Sequence, residues 1–266
     1  VLAAFNATPV RFVGIANLRV KECDRVHALA TELSRIQPGL GREDGDDLIV
    51  SAGAPAVKWL ANKEPGPDRA SIQRLMDSLA LVQAERFVLI STIDVYPDTV
   101  GLDESADIPL DRVAPYGRHR LELERFVLAQ FPRATAVRLP GLFGAGLKKN
   151  VVYDLLHQPD FLSGMDGRSA FQYYDLDRLW ADVQVLLPLD VPLVNFVTAP
   201  VSVELMARVG FGVEFTNRLP GEPIRYDLRS LHAARFGGAD GYFEPAERVL
   251  ERIAAFVATE RARMGA

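Results

Sequence analysis

Cysteine is nearly absent from this sequence. Cys23 is the only one in 266 residues, so no internal disulfide can form and no multi-thiolate metal site can be built. It reads as a small apolar filler. Histidine is scarce as well. His27, His119, His157 and His232 are scattered, none forms a metal-ligand pair at helical spacing, and no metal is expected. Basic charge is not in excess: 30 Lys and Arg stand against 35 Asp and Glu, a formal net charge of -5. That gives no support to nucleic-acid binding, which uses a concentrated basic face. No apolar run approaches the ~20 residues of a membrane span. The apolar start, Val1 to Phe5, is short and has no basic leader, so it reads as a strand and not a signal peptide. Internal repeats, low-complexity tracts and flexible linkers are missing too. What is left, 48% hydrophobic and 24% charged, is ordinary for a soluble globular protein, with a cytoplasmic location as the expectation. The length suits one large domain with a full core better than two generous ones.

Short apolar runs recur along the chain. Asp47–Ala52, Arg86–Ser91, Thr135–Leu139 and Pro192–Val197 are near-continuous, not alternating, as strands are when helices cover both faces of a parallel sheet. Between them, Ala70–Gln83, Pro115–Gln130 and Pro245–Glu260 repeat apolar residues at three and four spacing, which predicts amphipathic helices. Gly41–Asp47 reads as a polar loop leading into a strand. The alternation predicts an α/β class, a doubly wound, mostly parallel, Rossmann-like sheet in a single domain 1–266. The core spans mainly 1–144 plus the later strand near 192–197. A small C-terminal lobe for substrate takes up mainly 145–190 and 198–242, where Pro and irregular sequence increase. Ligands of such sheets sit beyond the C-terminal strand ends.

The strongest chemical feature is split over two segments. A strand runs into Ser91-Thr92-Ile93-Asp94-Val95-Tyr96, and about twenty residues later Pro115-Tyr116-Gly117-Arg118-His119-Arg120 opens a helix. Tyr116 and Arg120 are four apart and share a helix face. A nearby cation favours tyrosinate and lowers the tyrosine pKa. A tyrosine so tuned can move a proton to or from an alcohol oxygen that Thr92 holds by a hydrogen bond.

On these residues the chain resembles the extended short-chain dehydrogenase/reductases, the group containing NAD-dependent nucleotide-sugar epimerases and dehydratases. Ser91–Tyr96, Tyr116-x-x-x-Arg120 and Arg138-Leu139-Pro140-Gly141-Leu142-Phe143-Gly144 follow the family's motifs in order. Phe171–Asp177 resembles its aromatic–Val–Asp segment. The resemblance implies Thr92, Tyr116 and Arg120 as catalytic residues, with Asp94 at the acid position of the dehydratase branch. It implies NAD or NADP as cofactor, held by Thr8, Arg11, Phe12, Val13 and Gly14 in the phosphate loop. Ala52, Gly53 and Ala54 after the fourth strand, Tyr116, Arg120, Pro140 and Leu142 would complete that site. It implies a nucleotide-sugar substrate near Lys58, Tyr96, Lys148 and Asn150, and a homodimer through the helices at Ala70–Gln83 and Pro115–Gln130.

The sequence departs from the family pattern twice. The family lysine is Arg120, whose planar fork keeps the charge but directs it differently. The glycine-rich phosphate loop, read as Thr8–Gly14, keeps only Gly14, and Glu32 is the stand-in for the acidic ribose ligand. Two functions therefore stand side by side. One is an NAD(P)-dependent oxidoreductase, epimerase or dehydratase. The other is a cofactor-free scaffold with a binding or non-redox role. Other residues have plainer readings: His119 a surface histidine, Trp59 core packing, and Thr92 a cap for the strand end.

Overall fold

The structure is a computed structural model. It describes residues 10–12, 25–36, 41–44, 47–50, 57–146, 150–157 and 159–265. Val1–Phe5, Thr8, Val13, Gly14, Cys23, Ala52, Gly53, Ala54 and Lys148 lie outside them. The chain divides into two compact units, one of residues 1–90 and 110–134, the other of 91–109 and 135–266.

The first unit opens with β1 (Val10–Phe12), α1 (Arg25–Ile36), β2 (Gly41–Asp44) and β3 (Asp47–Val50). These strands form a three-stranded sheet in the order β1-β3-β2, antiparallel at both junctions. Two expectations fall here. The polar segment from Gly41 is not a loop: its backbone pairs with β3, and an edge strand tolerates polar residues. The segment read as a phosphate loop contains a strand, with Val10 facing Val50 and Phe12 facing Leu48. Glu32 lies on α1.

Three helices follow: α2 (Lys58–Lys63), α3 (Pro65–Leu79) and α4 (Pro115–Gln130). Pro65 and Pro115 each sit in the first helical turn, where a missing N–H costs nothing and the fixed φ already suits the helix. α3 buries Ile72 and Leu79, and α4 buries Leu121, Leu123 and Val127. Phe87 at the start of β4 (Phe87–Thr92) stacks on Phe131 with ring centroids 4.4 Å apart.

In the second unit, the end of β4 joins β5 (Ala134–Leu139) and β9 (Leu193–Asn195) in a sheet of order β4-β5-β9. β5 and β9 run parallel, and the chain between them carries α6 (Leu179–Leu186). β6 (Gly141–Phe143) pairs in parallel with β8 (Tyr173–Asp175), and β7 (Ala170–Phe171) antiparallel with β10 (Val201–Ser202). The architecture is α/β with parallel pairing and flanking helices. The lobe core gathers Phe143, Val152, Tyr173, Met206 and Phe211 with Val249, Ile253 and Val257 of α8 (Ala246–Gly265). Buried Gln172 binds three backbone groups: its Nε2 donates to the carbonyls of Thr198 (2.6 Å) and Leu228 (2.9 Å), and its Oε1 accepts from Leu228 N–H (2.9 Å). That satisfaction is what makes a core amide tolerable.

Candidate functional site

In the first unit the site is built on α4. Ala114 precedes this helix and has no side chain to cap it. The first-turn N–H groups of a helix lack intrahelical partners, and Asn62 of α2 supplies one: Tyr116 N–H donates to Asn62 Oδ1 at 2.9 Å. One turn on, Arg120 folds back, with its guanidinium carbon 3.8 Å from the centre of the half-buried Tyr116 ring. Its Nη1 donates to the Tyr116 carbonyl at 3.0 Å.

Arg120 has a second set of bonds, to Asp68 on α3. Nη1 donates to Asp68 Oδ2 at 2.6 Å and Nη2 to Asp68 Oδ1 at 2.9 Å, a bidentate pair. His119 Nδ1 lies 2.6 Å from the same Oδ2. All three side chains are buried, at 6%, 5% and 9% exposure for Asp68, His119 and Arg120. Burial alone would raise the Asp68 pKa. The hydrogen bonds and charges of Arg120 and His119 outweigh it and hold the carboxyl below its usual value. The surface position expected for His119 is thus corrected: it points inward because Asp68 offers it a buried acceptor. A lone cation beside Tyr116 is also not what the fold provides. The charge of Arg120 is balanced by Asp68, and the guanidinium meets the Tyr116 ring and carbonyl.

In the second unit Thr92 ends β4 in extended geometry. Its Oγ1 accepts from Asp94 N–H at 3.1 Å and caps the single turn Ile93–Val95. The capping role is therefore present in this half-buried threonine. Asp94 accepts from the Tyr226 hydroxyl at 3.0 Å. Tyr96 is buried. It is 4% exposed, its hydroxyl bonds the Asn195 amide, and the Arg138 guanidinium lies 4.7 Å from its ring centre. Burial pushes its phenol pKa up, with Arg138 and Asn195 pulling against it. Asn150 bonds backbone groups on both sides. It holds a left-handed φ of 81°, donates to the Leu142 carbonyl and accepts from Val152 N–H at 3.0 Å, starting α5 (Val151–His157). Pro140 is buried and Leu142 half-buried, while Lys58 and Trp59 are exposed, so Trp59 is not core.

Tyr226, which bonds Asp94, leads into a polar cluster that the sequence alone does not mark. Asp227 is buried beside Tyr226 and accepts from Tyr242 Oη and from Arg225 Nη2 (2.9 Å), with Arg229 Nη2 at 3.3 Å. Burial raises the Asp227 pKa, but these partners bring it below the usual carboxylate value. Asp227 N–H also donates to Thr99 O at 2.7 Å, tying this segment to the chain just after Tyr96. Residues 94 and 226 are 132 positions apart. The sequence carries no signal for such a pairing.

No protein-family model matches the chain. Solved structures do. A UDP-glucose 4-epimerase of Thermotoga maritima with UDP-glucose matches at TM-score 0.58 and 17% identity, over 79% of this chain and 76% of that one. The chain shares the α/β fold of this structure over 79% of its length. A Methanobrevibacter ruminantium UDP-N-acetylglucosamine 4-epimerase in complex with UDP-N-acetylmuramic acid matches at 0.59 and 14%, over 79% and 75%. A Bacillus cereus UDP-glucuronic acid 4-epimerase in complex with UDP-glucuronic acid and NAD matches at 0.55 and 18%, over 77% and 73%. Curated relatives tell a different story. A Rhizobium leguminosarum 3-phosphoshikimate 1-carboxyvinyltransferase is 77% identical over 57 residues, 21% of this chain and 14% of that protein. The Pseudomonas syringae pv. syringae enzyme of the same name is 73% identical over 52 residues, 20% and 12%. The chain spans about one-seventh of the first relative's length.

Of the residues expected to hold a nicotinamide dinucleotide, Thr8, Val13, Gly14, Ala52, Gly53 and Ala54 lie outside the described residues. Pyrophosphate in such folds sits on bare backbone at a tight turn between a strand and a helix, next to a parallel neighbour strand. Here Val10–Phe12 is a strand inside the expected loop, and its neighbour β3 runs antiparallel. The cation expected on the ribose, Arg120, has both terminal nitrogens on Asp68.

Proposed function

We propose that this chain binds a nucleotide-activated sugar on a short-chain dehydrogenase scaffold and, within its 266 residues, performs no hydride transfer. The antiparallel pairing of β1 with β3 carries the second half of this reading. The first half is supported by neighbours of the same fold whose structures contain UDP-glucose, UDP-glucuronic acid or UDP-N-acetylmuramic acid. Thr92 and Asp94 are the groups assigned to the sugar hydroxyls. The test is calorimetric titration with UDP-glucose and UDP-glucuronic acid, with free glucose as the control. Saturable binding of the nucleotide sugars is expected. Heats no larger than those of glucose sink the proposal.

The second reading is an NAD(P)-dependent oxidoreductase, epimerase or dehydratase on the same substrates. It is favoured by Thr92, Tyr116 and a cation at 120 standing in the family's order and spacing. It requires dinucleotide-dependent turnover that Tyr116→Phe abolishes while nucleotide-sugar binding persists.

A further inference from the structure

We infer that Tyr226 is a positioning residue: its hydroxyl fixes the Asp94 carboxylate in one rotamer, ready to accept from a sugar hydroxyl. This role rests on the assignment of Asp94 to the sugar and adds the residue that aims the carboxylate. Tyr226 Oη donates to Asp94 Oδ1 at 3.0 Å. Both residues are half-buried, so neither is sealed in the core. Asp94 follows the C-terminal end of β4, the end at which α/β sheets bind ligands. A carboxylate only accepts, so the ligand group it selects is a donor such as a hydroxyl.

The bond is not what holds the two segments in place. Residues 224–229 form a strap tied along both edges. On one edge Tyr226 N–H donates to the Ala170 carbonyl at 2.9 Å, and Ala170 N–H to the Ile224 carbonyl at 2.8 Å. On the other, Asp227 N–H donates to Thr99 O at 2.7 Å, Gly101 N–H to Asp227 O at 2.8 Å and Arg229 N–H to Leu102 O at 2.8 Å. The Asp227 side chain adds Tyr242 and two arginines. The turn that carries Asp94 is placed separately, by buried Ile93 and Val95 and by the Thr92 Oγ1 cap. The phenol is itself aimed, because its backbone is held on both edges and its ring lies 5.8 Å from that of Phe171. What its hydroxyl adds is the direction of the Asp94 side chain. A carboxylate side chain turning about χ1 has three staggered wells. Filling the competent well in advance raises the affinity of a ligand that uses it by at most about a factor of three.

The experiment uses the whole chain and its Tyr226→Phe, Asp94→Ala and doubly substituted forms. Calorimetric titration with UDP-glucose and with UDP gives the ratio of the two affinities, which isolates the share of the sugar. Tyr226→Phe lowers this ratio about threefold and Asp94→Ala about tenfold or more. In the Asp94→Ala background Tyr226→Phe adds nothing, which a merely structural tyrosine would not show. Three-bond NMR couplings of the unliganded chain read the Asp94 χ1 directly: one rotamer in the parent, averaging over wells in Tyr226→Phe. A single rotamer kept in Tyr226→Phe overturns this role, and so does an unchanged ratio beside a parent that binds UDP-glucose. A Tyr226→Phe chain that fails to fold also overturns it, because the strap then depends on the phenol. A parent that binds no UDP-glucose counts against the proposed ligand instead, and the rotamer measurement still decides whether Tyr226 positions Asp94.

Discussion

Asp68 is the residue whose removal the structure makes most consequential. In Asp68→Ala, Arg120 loses both bonds of a bidentate pair, at 2.6 and 2.9 Å, and His119 loses its acceptor at 2.6 Å. The partners are at most 9% exposed, so solvent screening does not soften the loss. Removing one partner of a buried ion pair leaves the other charge uncompensated, at a cost of about 3–5 kcal/mol. At ~2–4 °C per kcal/mol for a chain of this size, the midpoint of thermal unfolding drops by about 10 °C. The paired control is Asp68→Leu with His119→Leu and Arg120→Met. Replacing the whole buried group by apolar side chains removes the uncompensated charge, and most of the stability returns. Urea unfolding of the three proteins reads both effects. A loss below about 1 kcal/mol in Asp68→Ala refutes the buried cluster as described. The pH dependence has a definite sign. A carboxyl whose folded pKa is depressed contributes stability that is present above its unfolded value, about 4, and is lost as pH falls through the lower folded value. Acid unfolding of the native chain therefore steepens below about pH 4, and Asp68→Ala flattens that limb.

Gln172→Leu strands the Leu228 N–H and removes the donor to two carbonyls, and a loss of about 3 kcal/mol in urea unfolding is expected. Gly238→Ala sets a new carbon 1.9 Å from the Tyr242 carbonyl oxygen, in backbone that cannot step aside. It destabilises by roughly 3 kcal/mol or more, read as soluble yield and unfolding midpoint. Gly66→Ala meets nothing within 4 Å in the first turn of α3 and gains about 0.5–1 kcal/mol.

The helices and the buried strands of the later chain were legible because local chemistry and tertiary role agree there. Pro115 starts α4 where the pattern places it, and β4 and β5 fall within a residue of their apolar runs. α3 starts at Pro65, five residues before the expected Ala70. The Pro-Gly-Pro at residues 65–67 is tolerated in the first turn, where the missing donors have no intrahelical partner anyway. The early chain was misread for a different reason. A loop motif reduced to one glycine is compatible with almost any backbone, and whether Val10–Phe12 is turn or strand is settled by β3, which lies nearly forty residues away. Candidate site residues divide in the same way. Thr92, Tyr116 and Arg120 are visible as spacing, whereas the Asp68 that holds Arg120 is 52 residues off and leaves no local trace.

That dependence sharpens the meaning of arginine at position 120. Viewed along the sequence, Arg120→Lys restores the family's motif. In the structure it removes a fork whose two terminal nitrogens reach both oxygens of Asp68 while Nη1 also meets the Tyr116 carbonyl. An ammonium is a point donor on a flexible stem and cannot keep the planar contact 3.8 Å from the Tyr116 ring centre. The exchange therefore costs about 1–2 kcal/mol, the worth of one charge-assisted hydrogen bond. Under the proposed function dinucleotide binding is not expected to return with it, because that proposal rests on the antiparallel pairing of β1 with β3 and not on residue 120. Unfolding midpoints and NADH titration of Arg120→Lys measure both parts. A variant as stable as the parent that also binds NADH would show that Arg120 is an interchangeable cation, and that Asp68 does not determine its role.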